Sequence, residues 1–469
     1  MSLKDTANFG FVPSAYKNNK AYTIIPTNGN GDLYAQRTTN SSRIDSSGIV
    51  ENVFANRPTL NYQVNNGLVV GCPELQIQML RTNVLVDSEN PKVTANGGLW
   101  SSSNCTQSTD TIEVSPSGIV GSTKLTENNN TGVHLIQQQM GLLQSGVQVP
   151  LVVNRKYMVS GWFKSGSTNG RSGCAFFITN NNGNDEMRFN IVDGYVSDTT
   201  TNINNKRARI TKFPNGWFRC EFQFKAGTQT PTLQILIGKK NATTNTIDTN
   251  YNGNNAGNIL VYGLQVETNS QSSASDVSSY IKTTLTPATR QRDYFNTGVG
   301  LSSPDMTNFP TNYPISVFWE GKIDRYASTH VLFHVCNKNT NKFGLHLIFH
   351  SNTQLKIRKT NQSGAVSDQL VNYVTERLDY MKILINYIDE QSVELFVNGY
   401  KIFQGNVGNV SYSGIGIGIG RNVTNDANQR QSTNGVFLWN KKLTDVEGIQ
   451  LTSSSSFSEL ATSQNYEIQ

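Results

Sequence analysis

An alternation of polar and apolar residues recurs along much of this chain and restricts the folds that it can adopt. Residues 217–224, Trp-Phe-Arg-Cys-Glu-Phe-Gln-Phe, show it clearly, and residues 157–163, 232–237 and 381–386 are further strand-like segments. Asn-Gly and Gly-Asn pairs separate many of these segments. A period of two between turn residues is typical of half-buried strands. The sequence therefore predicts an all-β fold.

Composition supports this prediction. Charged residues make up 15% of the chain and the hydrophobic set 36%, whereas helical proteins carry more Ala, Glu, Leu and Lys. Disorder is the alternative for so polar a chain, but 21 Phe, 18 Tyr and 5 Trp residues are spread along it, and disordered segments are poor in aromatic residues. A length of 469 residues predicts two or three folded domains.

Charge and cysteine content exclude several classes of protein. The net charge is +6, but the basic residues are scattered, whereas nucleic-acid binding requires them clustered on one face. The five cysteines form no close pair, so we expect neither a zinc ribbon nor a disulfide framework, but free buried thiols and assembly in a reducing cytoplasm. No apolar run approaches the roughly 20 residues that span a bilayer, and the first residues lack a hydrophobic signal segment. We therefore expect neither membrane insertion nor export by a signal peptide.

Residues 1–35 are expected to form an extended N-terminal arm. Four aromatic residues, Phe9, Phe11, Tyr16 and Tyr22, lie among Asn, Lys and Pro at no helical period. Such a segment has too few apolar residues for a core of its own. Either it is a disordered terminus, or its aromatic side chains dock on a partner protein and the arm becomes ordered there. We favour the second alternative, in which these four residues anchor the chain.

Residues 36–89 are expected to form a small β-hairpin or collar region. Turn signals recur at Ser46-Ser47-Gly48, Asn65-Asn66-Gly67 and Gly71-Cys72-Pro73, with short strand-like segments between them. We name this segment the hairpin region.

The hairpin region also carries a family resemblance. Its motifs are residues 34–43 (Tyr-Ala-Gln-Arg-Thr-Thr-Asn-Ser-Ser-Arg), 48–53 (Gly-Ile-Val-Glu-Asn-Val), 56–62 (Asn-Arg-Pro-Thr-Leu-Asn-Tyr), Cys72-Pro73 and 80–85 (Leu-Arg-Thr-Asn-Val-Leu). They resemble a signature of phage virion proteins, in particular fibre-like proteins of phages that infect Bacteroidetes, including crAss-like phages. The sequence departs from that signature at residues 76–79 and at Arg57-Pro58. The resemblance implies a structural role without chemistry.

Residues 90–290 are expected to form a first β-sandwich. The order of residues 161–164 (Gly-Trp-Phe-Lys), 215–219 (Asn-Gly-Trp-Phe-Arg) and 261–267 (Val-Tyr-Gly-Leu-Gln-Val-Glu) resembles the carbohydrate-binding-module-like jelly roll of many phage proteins. Trp162 and Trp217 are candidate platforms for stacking on sugars, although large aromatic residues in strands are more often part of a core. The glycan-binding residues are otherwise not identified by the sequence.

Residues 291–469 are expected to form a second sandwich. Residues 384–387 (Leu-Ile-Asn-Tyr), 394–400 (Glu-Leu-Phe-Val-Asn-Gly-Tyr) and 435–444 (Gly-Val-Phe-Leu-Trp-Asn-Lys-Lys-Leu-Thr) resemble the concanavalin or laminin-G lectin sandwich. That family's Asp-Gly hairpin is Asn398-Gly399 here, which suits a type I′ turn.

Four of the five histidines fall in two neighbouring strands of this second sandwich, at His330, His334, His346 and His350. Pairing Cys336 with Gly344 places His334 opposite His346 and His330 opposite His350, with all four on one face. Opposed pairs can share a transition metal or respond jointly to pH. The simpler hypothesis, which we prefer, is two structural histidine pairs without a metal.

No catalytic motif is present. The sequence has no Gly-x-Ser-x-Gly elbow, His-Glu-x-x-His helix or phosphate-binding loop, and we expect no enzyme and no cofactor. A polysaccharide depolymerase remains a less favoured alternative, because glycosidase carboxylate pairs have no short motif.

The resemblance implies a bacteriophage head fibre on the virion surface that adheres to host or mucosal glycans. A tail fibre or receptor-binding protein and a purely architectural capsid decoration protein are alternatives. The expected partners are other virion proteins, bound through the arm, and further copies of the chain in a dimer or trimer. Neither nucleic acid nor membrane is expected as a partner.

Overall fold

The computed structural model describes residues 2–17, 19–25, 32–92, 99–141, 150–180, 183–197, 207–268, 277–296, 311–323, 330–336, 344–351, 353–373, 380–412, 414, 416–420 and 431–453. Strands dominate these residues, and the described strand pairs are antiparallel. The predicted all-β fold is confirmed.

The chain begins with a 3₁₀ helix at Leu3–Thr6, followed by the strands of the N-terminal part. These are β1 (Phe9–Lys17), β2 (Lys20–Ile25), β3 (Leu33–Gln36), β4 (Ser41–Ile44), β5 (Val50–Val53), β6 (Leu60–Asn65), β7 (Leu68–Ile77) and β8 (Arg81–Asn83).

The first sandwich follows, with a second 3₁₀ segment at Pro214–Gly216. Its strands are β9 (Trp100–Ser103), β10 (Cys105–Thr109), β11 (Thr123–Glu127), β12 (Thr131–Val133), β13 (Leu135–Gln139), β14 (Lys156–Ser165), β15 (Gly173–Asn180), β16 (Gly183–Asn190), β17 (Tyr195–Val196), β18 (Ala208–Lys212), β19 (Phe218–Lys225), β20 (Thr232–Lys240), β21 (Ile247–Asp248), β22 (Asn250–Asn252), β23 (Asn258–Thr268) and β24 (Ala288–Arg290). One sheet has the order β10-β11-β23-β14-β19-β18 and the other β17-β16-β15-β20-β13-β9. Phe163, Phe176 and Phe222 belong to the core between them.

The second sandwich contains β25 (Tyr294–Asn296), β26 (Ile315–Ile323), β27 (His330–Cys336), β28 (Gly344–Ser351), β29 (Gln354–Thr360), β30 (Val366–Asn372), β31 (Met381–Tyr387), β32 (Ser392–Val397), β33 (Tyr400–Asn406), β34 (Gly416–Ile419), β35 (Gln431–Trp439) and helix α1 (Asp445–Thr452). The strand order is β30-β29-β28-β27-β34-β25-β3-β2-β1-β35-β26-β31-β32-β33. Trp319 from one half and Leu347 from the other lie in one core, so this sheet folds over on itself.

The N-terminal strands join the two halves of that sheet, which differs from the expected arm. β1 pairs with β35 from Phe9 opposite Leu438 to Phe11 opposite Val436, and β3 pairs with β25. Phe9 and Phe11 are fully buried in the core. The expectation of an arm without a core is wrong. The segment packs into a core that it shares with β35, which lies more than 400 residues later in the chain. A local sequence pattern does not reveal a pairing between strands so far apart.

The expected domain limits also differ from the structure in detail. β8 pairs with β23 and β24 of the first sandwich, whereas β7 pairs with β35 of the second. The hairpin region is therefore shared between the two sandwiches, and the second sandwich is assembled from both ends of the chain. The end of β24 at Arg290 coincides with the expected limit of the first sandwich.

The turn predicted at Asn65-Asn66-Gly67 and the type I′ turn predicted at Asn398-Gly399 are both confirmed. Asn66 and Gly67 connect β6 to β7 with φ values of 47° and 81°, and Asn398 and Gly399 connect β32 to β33 with 49° and 88°. Positive φ at both central positions defines a type I′ turn, which Asn-Gly adopts readily. The expected turn at Gly71-Cys72-Pro73 is wrong, because these residues lie within β7 beside a shift in its register with β6.

Candidate ligand-binding cleft

The alternation in β19 creates one wall of a cleft. Phe218, Cys220 and Phe222 point into the core of the first sandwich. The residues between them, Arg219 and Glu221, therefore lie on the opposite face of the sheet, because successive strand residues alternate in direction. Strands β4 to β6 of the hairpin region lie over this face, and the cleft opens between the two layers.

The aromatic side chain of Trp162 forms the floor of the cleft. It is 1% exposed, and its ring packs edge-on against Phe213 at 5.8 Å and Tyr280 at 5.6 Å between centroids. The guanidinium of Arg219 lies 4.6 Å from the centre of the Trp162 ring. Trp162 is thus a packed core residue, as its type predicts, and its ring face is not open for stacking on a sugar.

Trp217, the other tryptophan considered for sugar stacking, is also 1% exposed. Its indole Nε1 donates a hydrogen bond to the carbonyl oxygen of Val114 at 2.8 Å. The stacking hypothesis for Trp162 and Trp217 is therefore wrong, because both rings are enclosed by the protein.

The charged side chains of the cleft differ in how far they are exposed to solvent. Arg209 stands directly opposite Glu221 in the pairing of β18 with β19, and its Nε lies 2.8 Å from Glu221 Oε2. Arg219 Nε is 3.7 Å from the other carboxylate oxygen. The side chain of Glu221 is 4% exposed and that of Arg209 is 56% exposed. One nearly buried carboxylate is therefore shared by two arginines, of which Arg209 faces solvent.

The hairpin region supplies hydrogen-bonding groups to the other wall. Ser42 Oγ donates to the carbonyl of Tyr280 at 2.8 Å, which fixes β4 to the first sandwich. Arg43 forms an ion pair with Glu51 and also donates to the carbonyl of Leu60 at 3.3 Å. The cleft has a volume of about 160 Å³ and is lined by Ser42, Arg43, Ile44, Val50, Asn61, Tyr62, Gln63, Val64, Gln76, Trp162, Arg209, Thr211, Phe213, Arg219, Glu221, Ser278, Ser279 and Tyr280.

Behind the cleft lies a buried group of charged residues that we name the arginine hub: Arg37, Arg81, Arg290, Asp293 and Glu267. Arg290 donates to Ser278 Oγ at 3.1 Å and to the carbonyl of Met79 at 2.7 Å. Ser278 in turn donates from its backbone N–H to Glu267 Oε1 at 2.5 Å. Arg37 and Arg81 belong to the motifs of the virion-protein resemblance, so these motif residues join the hairpin region to both sandwiches.

The pKa of Arg290 is lowered to about 10, chiefly by burial; the charges of Asp293 and Glu267 act to raise it, and those of Arg37 and Arg81 act to lower it. Arg290 therefore remains protonated at neutral pH. Among the described residues, the charges of the hub that act on Arg290 are those of two arginines and two carboxylates.

The four aromatic residues expected to anchor the chain lie in different environments. Phe9 and Phe11 are fully buried, and Tyr16 is partly buried against the same core. Tyr22 is 37% exposed. The structure therefore encloses Phe9 and Phe11 within the chain's own core, and of the four it leaves Tyr22 the most available to a partner.

The histidine cluster forms in part. Cys336 pairs with Gly344 and His334 with His346, as predicted, but the register shifts between Val331 and Phe333 and places His330 opposite Phe349. The predicted pairing of His330 with His350 is therefore wrong, because a β-bulge at Leu332 inserts one residue into β27. The side chain of His330 lies outside the described residues.

His334 and His346 stack with their ring centroids 5.6 Å apart, and both are buried. The pKa of His346 is lowered to about 3, chiefly by burial and also by its neighbours His334 and Arg358, against the opposing effect of Asp368. A Cβ added at Gly418 would lie 2.3 Å from the His334 ring, so the glycine makes room for it. The lowered pKa of His346 and the close packing of both rings favour the structural hypothesis.

Within the described ranges, no group of three or more His, Cys, Asp or Glu side chains is arranged to hold a metal ion. The same residues contain no helix with the length and apolar character needed to cross a membrane.

No protein-family model matches the sequence, and no curated protein matches it either. Among solved structures, the carbohydrate-binding CBM40 domain of a Ruminococcus gnavus sialidase, bound to α2,3-sialyllactose, aligns with 30% of this chain and 84% of its own at 12% identity and a TM-score of 0.27. A pentraxin from Limulus polyphemus aligns with 32% and 73% of the two chains at 12% identity and a TM-score of 0.26. The receptor-binding domain of botulinum neurotoxin type G covers 34% and 41% at 9% identity and a TM-score of 0.25. TM-scores this low establish neither a shared fold nor a shared function.

Proposed function

We propose that this chain is a non-enzymatic protein of a bacteriophage virion surface, a head fibre, and that its first sandwich binds host or mucosal glycans in the cleft. The observation that carries the binding role is the cleft itself, in which the partly buried apolar side chains of Ile44 and Val64 lie beside amide, hydroxyl and guanidinium groups. Small-molecule sites characteristically combine apolar surface with a few converging polar groups. Sugars match that combination, because their rings carry both hydroxyls and apolar C–H faces.

The size of the cleft limits what it can hold. Its volume of about 160 Å³ is below the roughly 300–1,000 Å³ of drug-sized sites, but is several times the roughly 30 Å³ of one water molecule. A single sugar ring or a charged substituent is the largest group that fits. Binding at one such site is weak, and several copies on one particle strengthen it by multivalency.

The virion role rests on the sequence resemblance in residues 34–85. In the fold, motif residues from this segment belong to the arginine hub, which connects the two sandwiches through buried hydrogen bonds. A rigid connection suits a protein that holds binding domains away from a particle. The surface we propose for attachment to other virion proteins is the exposed side of β2, where Tyr22 and Ile24 are 37% and 42% exposed.

The first test is a glycan array probed with the purified chain and with the variant Asn61→Asp, which places a new carboxylate in the cleft wall. Binding that the variant loses supports the proposal. Retention of all binding by the variant would indicate that glycans bind at another site. An array without any bound glycan would favour the architectural decoration protein.

Two further measurements address the remaining alternatives. Cryo-electron microscopy of particles of the encoding phage distinguishes a head fibre from a tail fibre or receptor-binding protein and counts the copies per attachment point, which tests the proposed dimer or trimer. Incubation with capsular polysaccharide followed by a reducing-end assay tests the depolymerase, which predicts new reducing ends.

A further inference from the structure

Two residues of the arginine hub, which we name the opposed arginines, stand directly opposite each other in a strand pair. Arg81 of β8 and Arg290 of β24 are register partners in the antiparallel pairing of these strands. Directly opposed residues of such a pair project from the same face of the sheet, with their Cβ atoms about 4.5–5.5 Å apart. The charge of Arg81 contributes to the lowered pKa of Arg290. The two guanidinium groups are therefore neighbours of like charge.

Both opposed arginines are almost completely enclosed by protein. Arg81 is 4% exposed and Arg290 is 1% exposed. Arginine keeps its charge in proteins at neutral pH, and like charges directly opposite each other destabilise a sheet. A charge removed from water also destabilises the folded state unless a partner of opposite charge lies beside it. The arrangement therefore calls for a compensating negative charge.

The two carboxylates of the arginine hub are engaged by other groups. Asp293 forms its ion pair with Arg37. Glu267 accepts hydrogen bonds from the backbone N–H and the hydroxyl group of Ser278. Among the residues that the structure describes, neither carboxylate forms an ion pair with the opposed arginines. The hub thus leaves these two cations without a direct counter-charge.

Each of the opposed arginines also has a buried donor to spare. Arg290 donates through Nη1 to the hydroxyl of Ser278 and through Nη2 to the carbonyl of Met79. Its Nε and the Nη1 of Arg81 are buried and have no hydrogen-bond partner within the described ranges. Folded proteins rarely leave buried donors unpaired. Two unused, positively charged donors on neighbouring side chains are suited to a shared anion.

We infer that the opposed arginines bind one small inorganic anion of about the size of chloride, held between Nη1 of Arg81 and Nε of Arg290. Guanidinium N–H groups form strong, charge-assisted hydrogen bonds with anions. A monatomic ion fits better than sulfate or phosphate, because the several oxygens of a buried oxyanion need more donors than the two that are left over. The bound ion joins β8 of the hairpin region to β24 of the first sandwich.

Thermal unfolding of the full chain tests whether a small anion is bound. Potassium chloride replaces potassium gluconate at constant ionic strength, so the screening of surface charges does not change. Gluconate is too large to be enclosed between two buried side chains. We expect chloride to raise the unfolding temperature by about 2–4 °C and the effect to saturate, because a ligand that binds only the folded state stabilises it. An unfolding temperature that does not depend on chloride would overturn the inference.

Two variants assign the chloride effect to the opposed arginines. Arg81→Met removes one of the two charges and should abolish the dependence on chloride. In gluconate this variant should unfold at a temperature no lower than that of the unsubstituted chain, because the opposition of like charges is gone. Arg57→Met removes a charge from an exposed position and should retain the full effect. An equal chloride effect in both variants would place the ion elsewhere and overturn the inference.

A measurement on the unsubstituted chain locates the ion without relying on a variant that folds. Crystals grown in sodium bromide and measured at the bromine absorption edge should show an anomalous peak between the guanidinium groups of Arg81 and Arg290. Bromide found only on the surface would overturn the inference, and the two spare donors would then be bound to water. Neither experiment depends on glycan binding, so the inference and the proposed function are tested separately.

Discussion

The carboxylate of Asp293 lies 2.5 Å from Nη1 of Arg37, with both side chains 99% enclosed by protein although 256 residues separate them in sequence. Arg37 also donates to the carbonyl oxygens of Thr39 and Phe54, and the other oxygen of Asp293 accepts from the backbone N–H of Gln78. One ion pair therefore connects the hairpin region to the segment that leads into the second sandwich.

Substitution of Asp293 by Asn is expected to lower the free energy of unfolding by about 3–5 kcal/mol, because it leaves Arg37 buried without its counter-charge. Urea denaturation measures the change. Glu51→Gln, in the partly exposed pair with Arg43, serves as the control and should cost less than about 1 kcal/mol. Equal small effects of the two substitutions would contradict a structural role for the hub.

The N-terminal strands are expected to be required for folding of the second sandwich. Phe11→Ala should cost about 3–5 kcal/mol, since it leaves a cavity in a closely packed core, whereas Tyr22→Ala at an exposed position should change stability by only about 0.5 kcal/mol. Deletion of residues 1–35 removes β1, β2 and β3 and should yield aggregated or partly unfolded protein. A truncated chain with the native thermal transition would show that these strands are dispensable.

The buried histidine pair should make stability depend on pH. The pKa of His346 is about 3 in the folded protein and near 6.5 when unfolded, so the unfolded state binds the proton first as pH falls. The free energy of unfolding should therefore decrease from pH 6.5 towards pH 3, by up to about 1.4 kcal/mol per pH unit for this group. Urea titrations at several pH values should show a shallower dependence for His346→Gln than for the unsubstituted chain. An unchanged slope would contradict the shift.

Thiol labelling should distinguish one cysteine from the other four. Cys72 is exposed in β7, and the remaining cysteines are buried. Burial raises the pKa of Cys105 to about 11 and that of Cys336 to about 12, which suppresses the reactive thiolate. Ellman's reagent should modify one thiol per native chain and five after denaturation. Cys72→Ser should abolish the native reaction, and rapid labelling of this variant would show that another thiol is accessible.

Sequence reasoning located the strands and several turns because these depend on neighbouring residues. It also paired His334 with His346, since a short connection fixes the register of two adjacent strands. The same reasoning missed the bulge at Leu332, which shifts His330 away from His350. One inserted residue leaves the alternating pattern almost unchanged, and only the pairing with β28 and β34 reveals it.

The sequence predicts only one wall of the candidate cleft. The alternation of residues 218–224 places Arg219 and Glu221 on the face opposite the core, but it does not show what covers that face. The covering strands come from residues 41–65, and their contact with the first sandwich depends on hydrogen bonds between residues more than 200 positions apart, such as Ser42 to Tyr280. No local pattern encodes such a contact.

Local patterns in the sequence account for the strand content, the turn at Asn66-Gly67 and the type I′ turn at Asn398-Gly399, because each follows from side-chain periodicity or backbone preference over a few residues. Long-range packing was needed to place Phe9 and Phe11 in the second sandwich and Arg209 at the border of a cleft. These depend on which distant strands pair and which surfaces become buried together, and that choice is made by the free energy of the whole packed molecule.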